Sequence, residues 1–210
     1  MAFIETTPPE QASREVLEMY ARQQAHFGYL PNYARVFCYR PEVMANWAAL
    51  LASIRRHVDS RRFELVTFAA AQALGNSYCS LAHGRALTEL LPAEDVLAIA
   101  NGIEPRDLSA AERVMMDFAR KVARDACTVT AADISDLRTH GFADDEIFDI
   151  VSVAAARAFF TKVLDGLGAE PDAAYGVMDT TLRQALTMGR PIAAVTPESP
   201  QQLVTSGEAV

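Results

Sequence analysis

The sequence predicts an all-α fold. Three observations carry that reading. Apolar residues recur at helical spacing through most of the chain, Gly, Pro and capping residues punctuate those stretches, and strand-type alternation persists nowhere. Glu10 to His26 carries apolar residues at Val16, Leu17, Tyr20 and Ala21, then stops at Gly28, which suits a left-handed cap. Pro31 opens a short helix through Val36 and Phe37. Pro41 opens a longer one, with the apolar stripe Val43, Met44, Trp47, Leu50, Leu51 and Ile54.

Asp59 or Ser60 caps a helix that runs to Leu74, and Gly75-Asn76 breaks the pattern. A new helix starts at Asn76 or Ser77 and reaches Leu91. Pro92 starts a short one that ends at Asn101-Gly102. Ser109 to Glu112 reads as a capping box ahead of a helix to about Asp125, and Thr130 to Asp133 resembles another, whose helix ends near His140-Gly141. Asp144, Asp145 and Glu146 place acids in the first turn of a long apolar helix ending at Gly168. A last helix covers Asp172 to Met188. The expected organisation is a single all-helical domain over residues 1–188. A flexible tail, 189–210, follows, where Pro, Ser, Thr, Gln and Gly take over.

The chain also echoes itself. Glu64 to Leu74 aligns without gaps on Asp149 to Phe159, with an acid opening each segment and the alanine triplets coinciding. In this register Cys79 falls opposite Leu164, and His83 opposite Gly168. An internal helical duplication is one reading, and two Ala-rich buried helices that look alike is the other.

Composition narrows the functional classes. Half of the 210 residues are hydrophobic, enough for one sizeable core or two small ones in contact. A net charge of −8 with scattered Lys and Arg argues against a nucleic-acid surface. No apolar run reaches the roughly 18 residues of a membrane span, and the N-terminus lacks a signal-peptide pattern. Three widely spaced cysteines, Cys38, Cys79 and Cys127, are not a disulfide framework and fit a reducing, cytoplasmic setting.

Chemistry concentrates at Cys79 and His83. Four residues apart, they project from one face of a helix, and a thiol beside an imidazole is a proton-transfer pair. With Asn76 or Ser77 as N-cap, Cys79 lies in the first helical turn. Free N–H groups and the helix dipole favour a thiolate there. On a straight helix Glu64 would lie roughly 20 Å or more from Cys79. A chain reversal at Gly75-Asn76 would let it face the site, whereas a mere bend would not, and spacing alone does not choose between them. At the site its two readings are to orient His83 or to bind a bridging water. The plain alternative is a buried, inert cysteine with a coincidental histidine. Two candidate ligands one turn apart do not make a closed metal site, so neither metal nor other cofactor is expected. Cys38 and Cys127 read as small core residues, Met115-Met116 as core packing, and His26, His57 and His140 as capping or surface residues.

The run Glu64, an Ala-rich helix, then Asn76-Ser77-Tyr78-Cys79-Ser80-Leu81-Ala82-His83 resembles the carboxymuconolactone decarboxylase and alkylhydroperoxidase D superfamily. The layout is similar to its uncharacterised peroxidase-related branch. Gly28-Tyr29-Leu30-Pro31-Asn32 and Arg40-Pro41-Glu42-Val43 precede the motif. Ala143-Asp144-Asp145-Glu146-Ile147 and Ala158-Phe159-Phe160-Thr161-Lys162 follow it. The resemblance spans roughly residues 10–172. It implies an alkylhydroperoxidase D-like helical fold, a homo-oligomer (dimer, trimer or hexamer) and reduction of small-molecule hydroperoxides. It also implies that Cys79 attacks peroxide while Glu64 and His83 relay protons.

Two positions depart from the motif. Asn76 stands where the resolving cysteine belongs, and Tyr78 where some members carry histidine. Three alternatives follow: a one-cysteine peroxidase regenerated by an external thiol, resolution of Cys79 by Cys38 or Cys127 elsewhere in the oligomer, or a decarboxylase-like lyase in which Glu64 and His83 act as acid and base. A non-catalytic oligomeric relative is a further reading. No nucleic-acid or membrane partner is expected.

Overall fold

The computed structural model describes residues 2–195. Among them the chain forms ten α-helices, four short 3-10 helices and no strand. The α-helices are α1 (Arg14–Phe27), α2 (Asn32–Val36), α3 (Pro41–Arg55), α4 (Ser60–Ala73), α5 (Ser77–Leu87), α6 (Ala93–Ala100), α7 (Ala110–Asp125), α8 (Ala131–Thr139), α9 (Asp144–Leu167) and α10 (Thr180–Leu186). The all-α class therefore stands as the sequence predicts.

Helix α4 is the centre of the molecule. Every residue from Phe63 to Ala71 is buried, and α5, α7 and α9 pack around it. Its alanines at 69–71 let three neighbours approach one backbone, so this helix is apolar all round rather than striped. The amphipathic pattern is clearest on α7, which buries Met115, Met116, Phe118, Ala119 and Val122. Both capping boxes, Ser109 with Glu112 and Thr130 with Asp133, are formed. Gly28 and Gly168 end α1 and α9 in the left-handed conformation.

Several expected details differ. Helix α1 begins at Arg14 because Ser13 Oγ caps it by accepting the Val16 N–H, and Pro9–Gln11 is a separate 3-10 turn. Helix α5 ends at Leu87, short of Leu91. The segment expected to be one helix from Asp172 to Met188 is two, Ala173–Val177 (3-10) and α10. Asp179 separates them by capping α10 through the Thr181 and Leu182 N–H groups. On α3 the buried stripe is Met44, Trp47, Leu51 and Ile54, whereas Leu50 and Val43 are exposed. The expected stripe was wider than the face that one neighbouring layer covers. Cys127 is exposed, not a core residue, because it sits in a 3-10 turn past the end of α7.

The internal echo does not extend to the hairpin. Gly75-Asn76 separates α4 from α5, but the aligned Phe160-Thr161 lies inside the unbroken α9. At the other end, contacts continue past residue 188. Gly189 N donates to Ser77 Oγ (2.8 Å), Arg190 Nη2 to the Asp165 carbonyl (2.8 Å), and Ala193 N to the Pro171 carbonyl (2.8 Å). The first part of the expected tail is thus docked, and its remainder, 196–210, lies outside the described residues. No described helix is long and apolar enough to cross a membrane.

Candidate active site

The site is built on the α4–α5 hairpin. Gly75 adopts φ +68°, a conformation glycine takes without strain, and a Cβ there would meet nothing within 4 Å. Glycine is required at this position for its backbone, not for space. Asn76 then caps α5, its Oδ1 accepting the Cys79 N–H at 2.7 Å. Asn76, which stands where the resemblance implies a resolving cysteine, thus serves as helix cap, and its side chain also bonds Asp165. Cys79 falls in the first turn of α5, as the capping pattern predicts.

The reversal brings Glu64 and His83 together. Glu64 Oε2 lies 2.7 Å from His83 Nδ1, and both side chains are almost wholly buried. Burial and the nearby Arg157 guanidinium push the imidazole's pKa down, and Glu64 partly offsets them. A neutral imidazole donating Nδ1–H to the carboxylate leaves Nε2 as the basic atom.

Cys79 is 2% exposed. Its hydrogen-bond partner is Arg157, whose Nη1 donates to Sγ at 3.7 Å. Among the described residues no hydrogen bond joins Sγ to His83, so the expected direct thiol–imidazole pair is not formed. The thiol's electrostatics also differ from expectation. Burial pushes the Cys79 thiol up, and Arg157 pulls it only partly back. The helix terminus is in place, but enclosing the sulfur costs the thiolate more than that terminus returns.

Arg157 is the residue that sequence reasoning missed. It is the largest fully buried side chain, set on α9 opposite the hairpin, with its guanidinium 5.3 Å from the Trp47 ring and 5.5 Å from the Phe160 ring. Trp47 in turn stacks on Phe160 (4.2 Å between centroids) and donates Nε1–H to the Ala156 carbonyl at 3.0 Å. A signal existed in Ala154-Ala155-Ala156-Arg157-Ala158-Phe159-Phe160. A single cation in so apolar a run has to be paired or functional.

Tyr78 is bonded to Asp172. Its hydroxyl donates to Asp172 Oδ2, which also accepts from Tyr29 (3.3 Å), while Asp172 Oδ1 accepts the Asn32 N–H at 2.7 Å. Tyr33 and Tyr175 pack their rings against Tyr78. Asp172 is buried, and burial raises its pKa to about 6 despite these donors and the more distant Arg35. A carboxyl whose folded pKa lies above its unfolded value of about 4 adds stability below about pH 4. That stability is lost as pH rises through about 6. The stability of wild type relative to Asp172→Asn should therefore fall between pH 4 and pH 7, by on the order of 2–3 kcal/mol. Urea unfolding of both proteins at the two pH values measures this, and a constant difference would contradict it.

Among the described residues no group of three or more His, Cys, Asp and Glu side chains is placed to hold a metal ion. A cavity of about 690 Å³ runs along α7 rather than at the thiol. Its lining includes Ile99, Leu108, Val114, Arg120 and Met188.

The model of the carboxymuconolactone decarboxylase family matches residues 41–132, the span holding Glu64, Cys79 and His83. No curated protein matches the chain. Solved structures share the fold. An alkylhydroperoxidase AhpD core, an uncharacterised peroxidase-related protein from Ralstonia eutropha JMP134, superposes with TM-score 0.71 at 24% identity. That superposition covers 84% of this chain and 95% of the other. An uncharacterised peroxidase-related protein from Silicibacter sp. TM1040 gives 0.69 at 23%, covering 83% and 93%. A cysteine-to-alanine variant of the debrominase Bmp8, in complex with 2,3,4-tribromopyrrole, gives 0.68 at 15%, covering 87% and 97%.

Proposed function

We propose that this chain, whose residues 41–132 belong to the carboxymuconolactone decarboxylase family, is a one-cysteine thiol peroxidase acting on small organic hydroperoxides in a reducing compartment. The observation that carries the reading is the enclosed constellation itself. A thiol bonded by a guanidinium stands one helical turn before a histidine that a buried carboxylate holds in one tautomer.

In the reaction the Cys79 sulfur attacks the terminal oxygen of the hydroperoxide. The S–O bond forms, the O–O bond breaks and the alcohol leaves with a proton. Sulfur is oxidised to sulfenic acid while the peroxide is reduced. Arg157 stabilises the thiolate and the charge developing on the departing oxygen. His83 Nε2 takes the thiol proton through a bridging water or the substrate itself and returns it to the alkoxide, with Glu64 fixing the ring. Two equivalents of an external thiol close the cycle. The first forms a mixed disulfide and water, and the second releases Cys79 as thiol.

Exposing the protein to substoichiometric cumene hydroperoxide with a sulfenic-acid trap should label Cys79 ahead of the exposed Cys127. Dominant labelling of Cys127, or no peroxide consumption with any thiol donor, would overturn the proposal.

A second reading is favoured by one observation: the thiol is pushed up, and among the described residues no hydrogen bond joins it to His83. Glu64 and His83 would then serve a proton-transfer lyase of the decarboxylase type without Cys79. The variants discussed below separate the two.

The reading includes assembly into a symmetric homo-oligomer. Phe148 and Phe159 on α9 and Leu50 on the adjacent α3 are 69%, 44% and 52% exposed, which leaves apolar surface for a second copy. Light scattering at micromolar concentration should give a dimer mass or a multiple of it, and a monomer would remove this part of the proposal.

A further inference from the structure

The cavity along α7 stands apart from the thiol. None of Glu64, Cys79, His83 and Arg157 lines it, so the chemistry proposed above leaves it without a use. At about 690 Å³ it has the size of a small-molecule site. Its buried lining is apolar: Ile99, Leu108 and Met116 are each no more than 5% exposed. Ile103 and Met188 also line it, yet they are 62% and 44% exposed. Large apolar side chains held in water beside an apolar floor are the surface that a hydrophobic ligand would cover.

The cations of the cavity come from one line of α7. Arg113, Arg120 and Arg124 stand at i, i+7 and i+11, within about 20° of a common line along the helix. They are held differently. Arg113 donates to the Leu108 carbonyl and pairs with Glu104 at 3.4 Å, which places Ile103 beside the N-terminal half of α7. Arg120 meets only the Asp117 carboxylate, 76% exposed, at 2.6 Å, and Arg124 Nε donates to the Ala73 carbonyl at 3.4 Å. Solvated contacts of this kind add little stability, so both guanidinium groups can turn to a ligand. Arg120 and Arg124 are one helical turn apart, about 6 Å along the axis. Both also line a neighbouring cavity of about 420 Å³ that reaches Thr128, past the end of α7. The cavity is therefore apolar toward the start of α7 and cationic toward its end.

The charge balance sets the class of ligand. The chain carries a net charge of −8, but this lining sets three arginines against Glu104 and Asp117, a surplus of one positive charge with His140 neutral. That surplus complements a single negative charge. Two guanidinium forks match the two oxygens of a carboxylate.

We propose that the α7 cavity binds an amphipathic monocarboxylate. The carboxylate lies between Arg120 and Arg124, and the apolar chain runs past Met116 and Leu108 toward Ile99 and Ile103. The proposal goes beyond the peroxidase reading and stands whatever reaction Cys79 and His83 support.

Isothermal titration calorimetry of the full chain with decanoate, below its micellar range, tests the site. Decanoate should bind once per chain. Acetate has the head without the chain, and decyltrimethylammonium has the chain with the opposite charge. Each should bind at least about tenfold more weakly than decanoate. Combining Arg120→Gln with Arg124→Gln should weaken decanoate at least about tenfold, and Ile103→Ser roughly threefold. Arg124 and Ile103 are exposed and Arg120 is half-buried, so the variants should keep the urea midpoint of wild type. No decanoate binding to wild type, equal affinity for decyltrimethylammonium, or a double variant within twofold of wild type would each overturn the proposal. A wild type that binds no decanoate, but whose mass by light scattering falls in the double variant, would make this face a contact between copies instead.

Discussion

Cys79→Ser is expected to abolish peroxide consumption. A serine hydroxyl stays protonated beside Arg157 and is a poor nucleophile toward an oxygen electrophile. His83→Gln is expected to slow turnover by about 10²–10⁴-fold, the range for a lost acid–base group. Glutamine is chosen over alanine for a physical reason. The His83 ring faces a buried Glu64 carboxylate at 2.7 Å, and deleting the ring would strand that carboxylate, at about 3–5 kcal/mol if it stays charged. The glutamine amide still donates to Glu64 but cannot take a proton, so the loss reads as chemistry rather than unfolding. Steady-state peroxide consumption with a thiol donor measures both variants. The lyase reading expects the reverse pattern. Cys79→Ser would keep most of the activity on a lactone-acid substrate, while His83→Gln and Glu64→Gln would lose it.

Trp47→Ala is expected to cost about 3–5 kcal/mol, the usual range for truncating a buried tryptophan. Trp47 is 4% exposed, stacks on Phe160, bonds the Ala156 carbonyl and forms one aromatic wall against the Arg157 guanidinium. Removing it opens a cavity beside a buried cation, so water and disorder should enter where the cation is now held. Because a domain is stable by only about 5–15 kcal/mol, this is a large fraction of the total. The urea midpoint should fall markedly, and the protein that remains folded should react more slowly with peroxide because Arg157 is no longer held against Cys79. Trp47→Phe should lose about 1–2 kcal/mol by forfeiting the indole hydrogen bond while keeping the stack. Equal midpoints for wild type and Trp47→Ala would show that this wall is not part of the core.

The helices were legible because their signals are local. Asp59, Asn76, Ser109 and Thr130 cap with their own side chains, and Gly28, Gly75 and Gly168 take positive φ. Neither event needs a distant partner. The Asp172–Met188 segment was misjudged for the complementary reason. Periodicity passed through Asp179, whose capping role shows only once α10 has docked on α5 and α6. Leu50 and Cys127 were placed in the core because apolar character alone does not say which face a neighbour will cover.

By itself the sequence determined the α4 break, a cap at Asn76 or Ser77 and the position of Cys79 in the first turn of α5, and the structure gives the cap to Asn76. It also marked Glu64 as a partner for His83 if the chain reverses, and the reversal and their contact came from the structure. The break, the cap and the first-turn position follow from backbone rules acting within the nineteen positions from Glu64 to His83. The tertiary structure decided what surrounds the sulfur. It brought Arg157 from α9 to within 3.7 Å of Sγ, turned Tyr78 toward Asp172, and laid Met188 and Gly189 against Ser80 and Ser77. Each of these contacts joins residues 78 to 112 positions apart. A thiol's reactivity is set by its enclosure and by the charges brought to it through space, and spacing along the chain carries neither.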